Sequence, residues 1–178
     1  MKAIETVYNG HRFRSRIEAK WAVFFDILNI EWEYEKEGYD LGEYGWYLPD
    51  FYLHEVSKWI EIKGGWPSRA DMRKCIAFDE LVRKERNECL VILTKIPKKV
   101  SSKPLEPFEL CYSELPSGGM MFDEDVIERY GYGAVSWIKA IWVPHTVKNG
   151  DQLLNAFDAA RQARFEHGQV GAPRNWGR

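Results

Sequence analysis

Cysteine is scarce in this chain, and long apolar runs are missing. The 178 residues include three cysteines, odd in number and widely spaced, which argues against a secreted disulfide framework and favours a reduced compartment. No apolar run approaches the roughly 20 residues that a membrane span requires, and the start MKAIETVYNG lacks the apolar core of a signal peptide. The sequence therefore predicts a cytoplasmic protein without a membrane span.

Two motifs that would mark other kinds of site are also missing. The four histidines show neither His-x-x-His nor HNH-like spacing, so a zinc or ββα-metal site has little support. The phosphate loop GxxxxGK(S/T) does not occur, so any ATP-driven motor would be a separate protein.

Apolar and aromatic residues are plentiful. A content of 45% hydrophobic and 15% aromatic residues, with eight tryptophans, argues against disorder. The length fits a single domain over residues 1–178.

Charge is unevenly distributed, although the formal net charge is only -2. Residues 31–62 carry nine acids against two lysines, and residues 68–104 carry ten bases against five acids. Adjacent acidic and basic blocks are typical of a site that holds a divalent cation beside a phosphate backbone. Two solvated faces of opposite charge would give the same pattern, so composition alone does not decide the function.

Local patterns near the start predict a hairpin followed by a helix. Asn9-Gly10 lies between apolar positions and predicts a tight turn. Ser15 and Glu18 have the spacing of a capping box, and apolar residues then recur at helical intervals to about residue 29. Asn29 is the predicted end of the helix.

The rest of the chain completes an α/β pattern. Residues 15–93 as a whole predict the order helix, three strands, helix, strand, which indicates a central mixed sheet flanked by helices. After the first helix, the predicted elements are strands at 30–34, 46–53 and 58–63, a helix from Ser68, a buried strand at 89–93, strands at 108–112 and 134–143, and a helix at 151–165, followed by a loose tail from Gly168.

Three acidic residues and a lysine form the candidate site. Asp50 and Glu61 fall on adjacent predicted strands and can be neighbours across the sheet. Their carboxylates are hard oxygen ligands suited to Mg²⁺, and Lys63 shares the strand face of Glu61. Each residue also has a structural interpretation: Glu18 as a capping residue, Asp50 as a turn residue after proline, and Glu61 with Lys63 as a solvent-facing ion pair.

Taken together and in this order, the residues resemble a known family. Pro49-Asp50, Glu61-Ile62-Lys63 and the segment Arg14-Ser15-Arg16-Ile17-Glu18-Ala19 are similar to the motifs of the PD-(D/E)xK nucleases, which have a restriction-endonuclease-like core. The resemblance covers residues 8–95 as the nuclease core and leaves residues 96–178 as a C-terminal elaboration. It implies a small enzyme of bacterial or bacteriophage type.

The resemblance implies metal-dependent hydrolysis of DNA phosphodiester bonds, without sequence specificity or selective for DNA structure. The implied cofactor is Mg²⁺, for which Mn²⁺ would substitute. The implied catalytic residues are Glu18, Asp50, Glu61 and Lys63. The implied metal ligands are Asp50, Glu61 and the Ile62 backbone carbonyl, with Glu18 acting directly or through water. The candidate phosphate contacts are Arg14, Arg16 and Lys74, because a guanidinium or ammonium group pairs with phosphate.

Several alternatives stay open at this point. The substrate could be RNA rather than DNA, and cleavage could be endonucleolytic or exonucleolytic. Many enzymes with this core are homodimers, but no residue in the sequence points to one. A non-catalytic nucleic-acid-binding protein with the same fold is the main alternative to an enzyme, and a purely structural phage protein is a third.

Overall fold

The computed structural model describes residues 4–65, 67–93, 96, 111–114, 120–123 and 150–165. Its helices are α1 (Arg16–Ile27), α2 (Arg69–Arg86) and α3 (Gly150–Gln162), with a 3₁₀ turn at Gly42–Tyr44. Its strands are β1 (Thr6–Tyr8), β2 (His11–Phe13), β3 (Trp32–Tyr34), β4 (Tyr39–Asp40), β5 (Trp46–Tyr47), β6 (Phe51–Leu53), β7 (Lys58–Ile62), β8 (Cys89–Leu93), β9 (Cys111–Glu114) and β10 (Met120–Asp123). No helix in this described part has the length and apolar character to cross a bilayer.

Six strands form one mixed sheet in the spatial order β3-β6-β7-β8-β10-β9. Strand β6 is antiparallel to both β3 and β7, β8 is parallel to β7, and β10 is parallel to β8 and antiparallel to β9. For α1, α2 and the strands of this sheet, the predicted order of helix, three strands, helix and strand is confirmed, and so is the mixed α/β architecture.

The two N-terminal elements form as the sequence patterns predict. Asn9 and Gly10 have φ values of 48° and 81°, which suit the two-residue turn between β1 and β2. Ser15 caps α1, since its Oγ accepts a hydrogen bond from the Glu18 amide at 3.4 Å. The helix closes at Leu28, and Asn29 follows with φ 53°.

The central strand β7 divides the core into two layers. Its side chains alternate, as predicted, so Ile60 and Ile62 contact the core under α1 and α3, while Trp59 contacts the core under α2. The buried strand β8 also contributes to both layers. Both faces of the sheet are thus covered, and the end of β7 lies between the two layers of the core.

One predicted strand is interrupted at Pro49, where the missing amide hydrogen requires an edge, a bulge or the entry of a strand. The single strand expected at 46–53 is divided into β5 and β6, and Leu48–Asp50 between them belong to neither. Pro49 explains the break, because it has no amide hydrogen to donate to a ladder. The separated β5 pairs with β4, with Tyr39 opposite Tyr47, and forms a small hairpin beside the main sheet.

Beyond residue 96 the outcome is mixed. The strand expected at 108–112 is found at Cys111–Glu114, and β10 was missed. Helix α3 begins and ends close to the predicted 151–165, and its Phe157 packs against Phe24 of α1 with ring centroids 4.5 Å apart. The candidate strand at 134–143 and the tail from Gly168 lie outside the described residues.

Candidate functional site

The four predicted site residues lie around one open cavity. Its volume is about 450 Å³, and Glu18, Asp50, Glu61 and Lys63 all line it. The three acids are almost fully buried, with 6%, 4% and 6% of their surface exposed, respectively. The remaining lining residues are Arg14, Trp46, Tyr47, Leu48, Ile62, Asp71 and Lys74.

Asp50 is positioned by the entry into β6. Phe51 pairs with Ile60 in the antiparallel ladder, so Asp50, one residue before β6, comes next to Glu61 at the end of that ladder. The Asp50 carboxylate reaches the end of β7, where its Oδ2 accepts a hydrogen bond from the Ile62 amide at 2.7 Å. The break at Pro49 therefore directs this carboxylate to the strand that carries Glu61.

Glu61 is held from two sides. Lys63, directly after β7, places its Nζ 2.6 Å from Glu61 Oε1, and the Tyr47 hydroxyl donates to Glu61 Oε2 at 2.8 Å. The side chain of Lys63 is only 24% exposed. The interpretation of Glu61 and Lys63 as a solvent-facing pair is therefore wrong, since both belong to the cavity wall.

Glu18 enters the cavity from the first turn of α1. Its Oε2 accepts hydrogen bonds from the Tyr34 hydroxyl at 2.7 Å and from the Arg14 amide at 3.0 Å, while Oε1 lies 2.5 Å from Ser15 Oγ. In a capping box, the Glu18 carboxylate would accept a hydrogen bond from the Ser15 amide. Here it accepts one from the Arg14 amide instead. Glu18 thus fixes the chain before α1 and also supplies a third carboxylate to the cavity.

Burial and mutual repulsion disturb the ionisation of Asp50. Its pKa is raised well above the usual range by burial first, and then by the charges of Glu61 and Glu18. The Ile62 amide and Arg14 oppose this rise without cancelling it. A divalent cation among these oxygens would relieve the same repulsion.

The predicted phosphate contacts have different outcomes. Arg14 turns toward the acids, with Nε 2.7 Å from Glu35 and Nη2 3.2 Å from Asp50, so in this structure it neutralises carboxylates. Lys74 does line the cavity, and its Nζ donates to the Trp46 carbonyl at 3.3 Å. Arg16 lies exposed at the start of α1 and is not part of the cavity wall.

Sequence reasoning missed the residues that hold the acids in place. Tyr34 and Tyr47 fall in predicted strands and Asp71 in the helix predicted from Ser68, and none of the three was assigned to the site. Asp71 does form the capping box with Ser68, but it also lies 3.9 Å from Lys63 Nζ. A usable signal existed, because a tyrosine buried on a strand needs a partner for its hydroxyl, and the nearby acids could accept.

The donor set suits a hard divalent cation. Among the described residues, no group of three or more His, Cys, Asp or Glu side chains is placed so that it could hold a metal ion by itself. Mg²⁺ commonly takes one or two carboxylates and completes its shell with water and phosphate, and Asp50 and Glu61 are carboxylates of that kind in one cavity. Arg14 and Lys63 now contact the oxygens that such a cation would share.

No family model, curated protein or solved structure matches this chain. The function must therefore be inferred from the cavity itself. Buried carboxylates that face a lysine can bind a cation, orient a water molecule and neutralise an anionic substrate.

Proposed function

We propose that this protein is a metal-dependent nuclease with a restriction-endonuclease-like core, which hydrolyses DNA phosphodiester bonds without sequence specificity or with selectivity for DNA structure. The observation that carries the proposal is that Asp50, Glu61 and Glu18 line one cavity with Lys63, whose Nζ lies 2.6 Å from Glu61 Oε1. The element order around the cavity also agrees with that core.

Each residue has a definite part in the proposed reaction. Asp50 and Glu61 hold the divalent cation, helped by the Ile62 carbonyl, and Glu18 acts on it directly or through water. When bound, Mg²⁺ or Mn²⁺ lowers the pKa of a coordinated water and neutralises charge on the phosphate. Tyr47 keeps Glu61 in position through its hydrogen bond.

Lys63 acts as a charged group in this proposal. Burial by itself would lower the pKa of its ammonium, but contact with Glu61 outweighs burial, and the net pKa is raised. Lys63 therefore stays protonated at neutral pH, so it orients the attacking water or stabilises the phosphate by donating hydrogen bonds and does not abstract a proton.

The test is a cleavage assay with a panel of substrates. Supercoiled plasmid, linear duplex, single strands and a four-way junction are each incubated with the protein in Mg²⁺, Mn²⁺ or EDTA. We expect metal-dependent cleavage that falls by on the order of 10²-fold or more in Asp50→Ala, Glu61→Ala and Lys63→Ala, as when a charge-stabilising group is lost.

Matched controls come from the same sheet. Glu33→Ala removes an acid on β3 outside the cavity, and Lys58→Ala removes a lysine at the opposite end of β7; both should retain activity. Cleavage that survives in Glu61→Ala would refute the assignment. An RNA panel run in parallel distinguishes the RNA-directed alternative, and binding without cleavage in any metal would favour the non-catalytic one.

A further inference from the structure

Trp46 is a large side chain left in solvent at the edge of the cavity. It is 65% exposed, compared with 38% for Tyr44 in the same hairpin, and it lines the cavity wall. A single exposed apolar residue is ordinary on a protein surface. The position of Trp46 and the way it is held distinguish it from such a residue.

The Trp46 indole is held against the backbone of Gly38. A Cβ added to Gly38 would lie 2.3 Å from Trp46 Cζ2 and 2.8 Å from its Nε1, so any other residue at this position would displace the ring. The Trp46 backbone is fixed as well, since it pairs with Asp40 in the hairpin and its carbonyl accepts a hydrogen bond from Lys74. The ring is therefore oriented before any ligand arrives.

Trp46 also has a fixed relation to the acids. Neighbouring strand residues face opposite ways, so Tyr47 turns inward to Glu61 while Trp46 turns outward to solvent. A ligand whose anionic group lies at Lys63 occupies the cavity that the indole also lines. That ligand needs an anionic group and, next to it, a flat aromatic surface.

We propose that Trp46 is a stacking platform for an unpaired nucleobase of the strand whose phosphate lies at Asp50 and Glu61. The inference rests on the proposed nuclease function and deepens it by defining the substrate as nucleic acid with a free base face. Single strands, flaps and frayed ends offer such a face, whereas in an uninterrupted duplex the neighbouring base pairs cover it. Stacking of this kind tolerates any base, so it adds affinity without reading sequence.

The test measures the affinity of the protein for two oligonucleotides of equal length, one with bases and one without. A fluorescein-labelled thymidine oligonucleotide and an abasic chain of equal length are titrated in EDTA, with fluorescence anisotropy as the readout. We expect Trp46→Ala to weaken binding of the thymidine oligonucleotide about 5- to 100-fold and to leave the abasic chain unchanged. Trp46→Phe should recover most of the lost affinity.

Two further variants sharpen the result. Gly38→Ala should weaken binding of the thymidine oligonucleotide in the same direction, because the added methyl group displaces the indole. Tyr44→Ala removes another exposed aromatic residue of the hairpin, one that does not line the cavity. This variant should bind both oligonucleotides with the affinity of the wild type. If Trp46→Ala loses affinity equally for both oligonucleotides, or loses none, the proposal of a stacking platform is refuted.

A parallel cleavage assay in Mg²⁺ separates this inference from the function on which it rests. If cleavage depends on Glu61 but Trp46→Ala retains its preference for single strands, the stacking inference alone fails. If base-dependent binding is lost in Trp46→Ala but no metal supports cleavage, the nuclease proposal fails while the platform stands.

Discussion

Replacing Asp50 with asparagine should make the metal-free protein more stable at neutral pH. Burial and the charges of Glu61 and Glu18 raise the Asp50 pKa, so the folded state holds this carboxylate at a cost. Each unit by which a pKa is raised costs the charged folded state on the order of 1 kcal/mol. Asparagine removes the charge, and its side-chain oxygen can still accept the Ile62 amide hydrogen.

The loss that opposes this gain is smaller. The Arg14 side chain, whose contact with Asp50 would be lost, is 56% exposed and keeps its contact with Glu35. A pair so exposed contributes roughly 0–1 kcal/mol. We therefore expect a net stabilisation on the order of 1 kcal/mol, which for a chain of this size raises Tm by about 2–4 °C.

The pH dependence gives the sign of the effect. With a raised folded-state pKa, the folded protein binds more protons than the unfolded chain at pH values above the ordinary Asp pKa of 3.8. Wild-type stability from this group is therefore fully present below that value and falls as the pH rises through the folded-state pKa. The advantage of Asp50→Asn should vanish near pH 3.5 and grow toward neutrality.

Thermal unfolding in EDTA measures the stability of the metal-free wild type and variant, and thermal unfolding in Mg²⁺ measures how much the metal stabilises each of them. Saturating Mg²⁺ at about 100 times its Kd would add about 2.7 kcal/mol to the wild type and little to the variant, so the order of stability should reverse. Asp26→Asn is the matched control, because Asp26 accepts hydrogen bonds from Tyr8 and Trp32 away from the cavity, and its loss should destabilise under both conditions. An Asp50→Asn protein less stable than wild type in EDTA, or equally stabilised by Mg²⁺, would refute the reasoning.

Three further changes test other parts of the structure. Lys63→Met should lower cleavage on the order of 10²-fold while the Mg²⁺-induced rise in Tm persists, and loss of that rise would make Lys63 a structural requirement for the metal site. Tyr47→Phe removes the hydroxyl that orients Glu61 and should reduce metal affinity or turnover about 10- to 100-fold with an unchanged circular dichroism spectrum; full activity would show that Lys63 alone positions Glu61. Phe157→Ala should cost about 3–5 kcal/mol in urea unfolding, and a cost below 1 kcal/mol would contradict the packing of α3 on α1.

Short-range patterns were enough to predict the elements that carry the acids. The alternation in β7 separates Ile60 from Glu61 and brings Lys63 to the cavity, and the structure has the same arrangement. Helix α1 begins at the predicted cap, which places Glu18 in its first turn. In both cases one period, two residues for a strand and 3.6 for a helix, determines which side chains share a face.

The rest depends on contacts between residues far apart in the sequence. Tyr34 and Tyr47 find their acceptors only after β3 and β5 are placed, and no local pattern records that placement. Arg14 was predicted as a phosphate contact because it is basic, yet its nearest partners in the folded chain are Glu35 and Asp50. The division of 46–53 was partly visible in Pro49, but the new partner of β5 was not.

The contact between α1 and α3 has a consequence for biosynthesis. Trp21 and Phe24 near the start of the chain pack against Phe157, and Lys20 donates a hydrogen bond to the Arg161 carbonyl. Until α3 has been synthesised, the parts of these rings that Phe157 covers stay exposed. This layer therefore closes only after residues 150–162 have been synthesised, and a nascent chain stalled before residue 150 would expose apolar surface to chaperones.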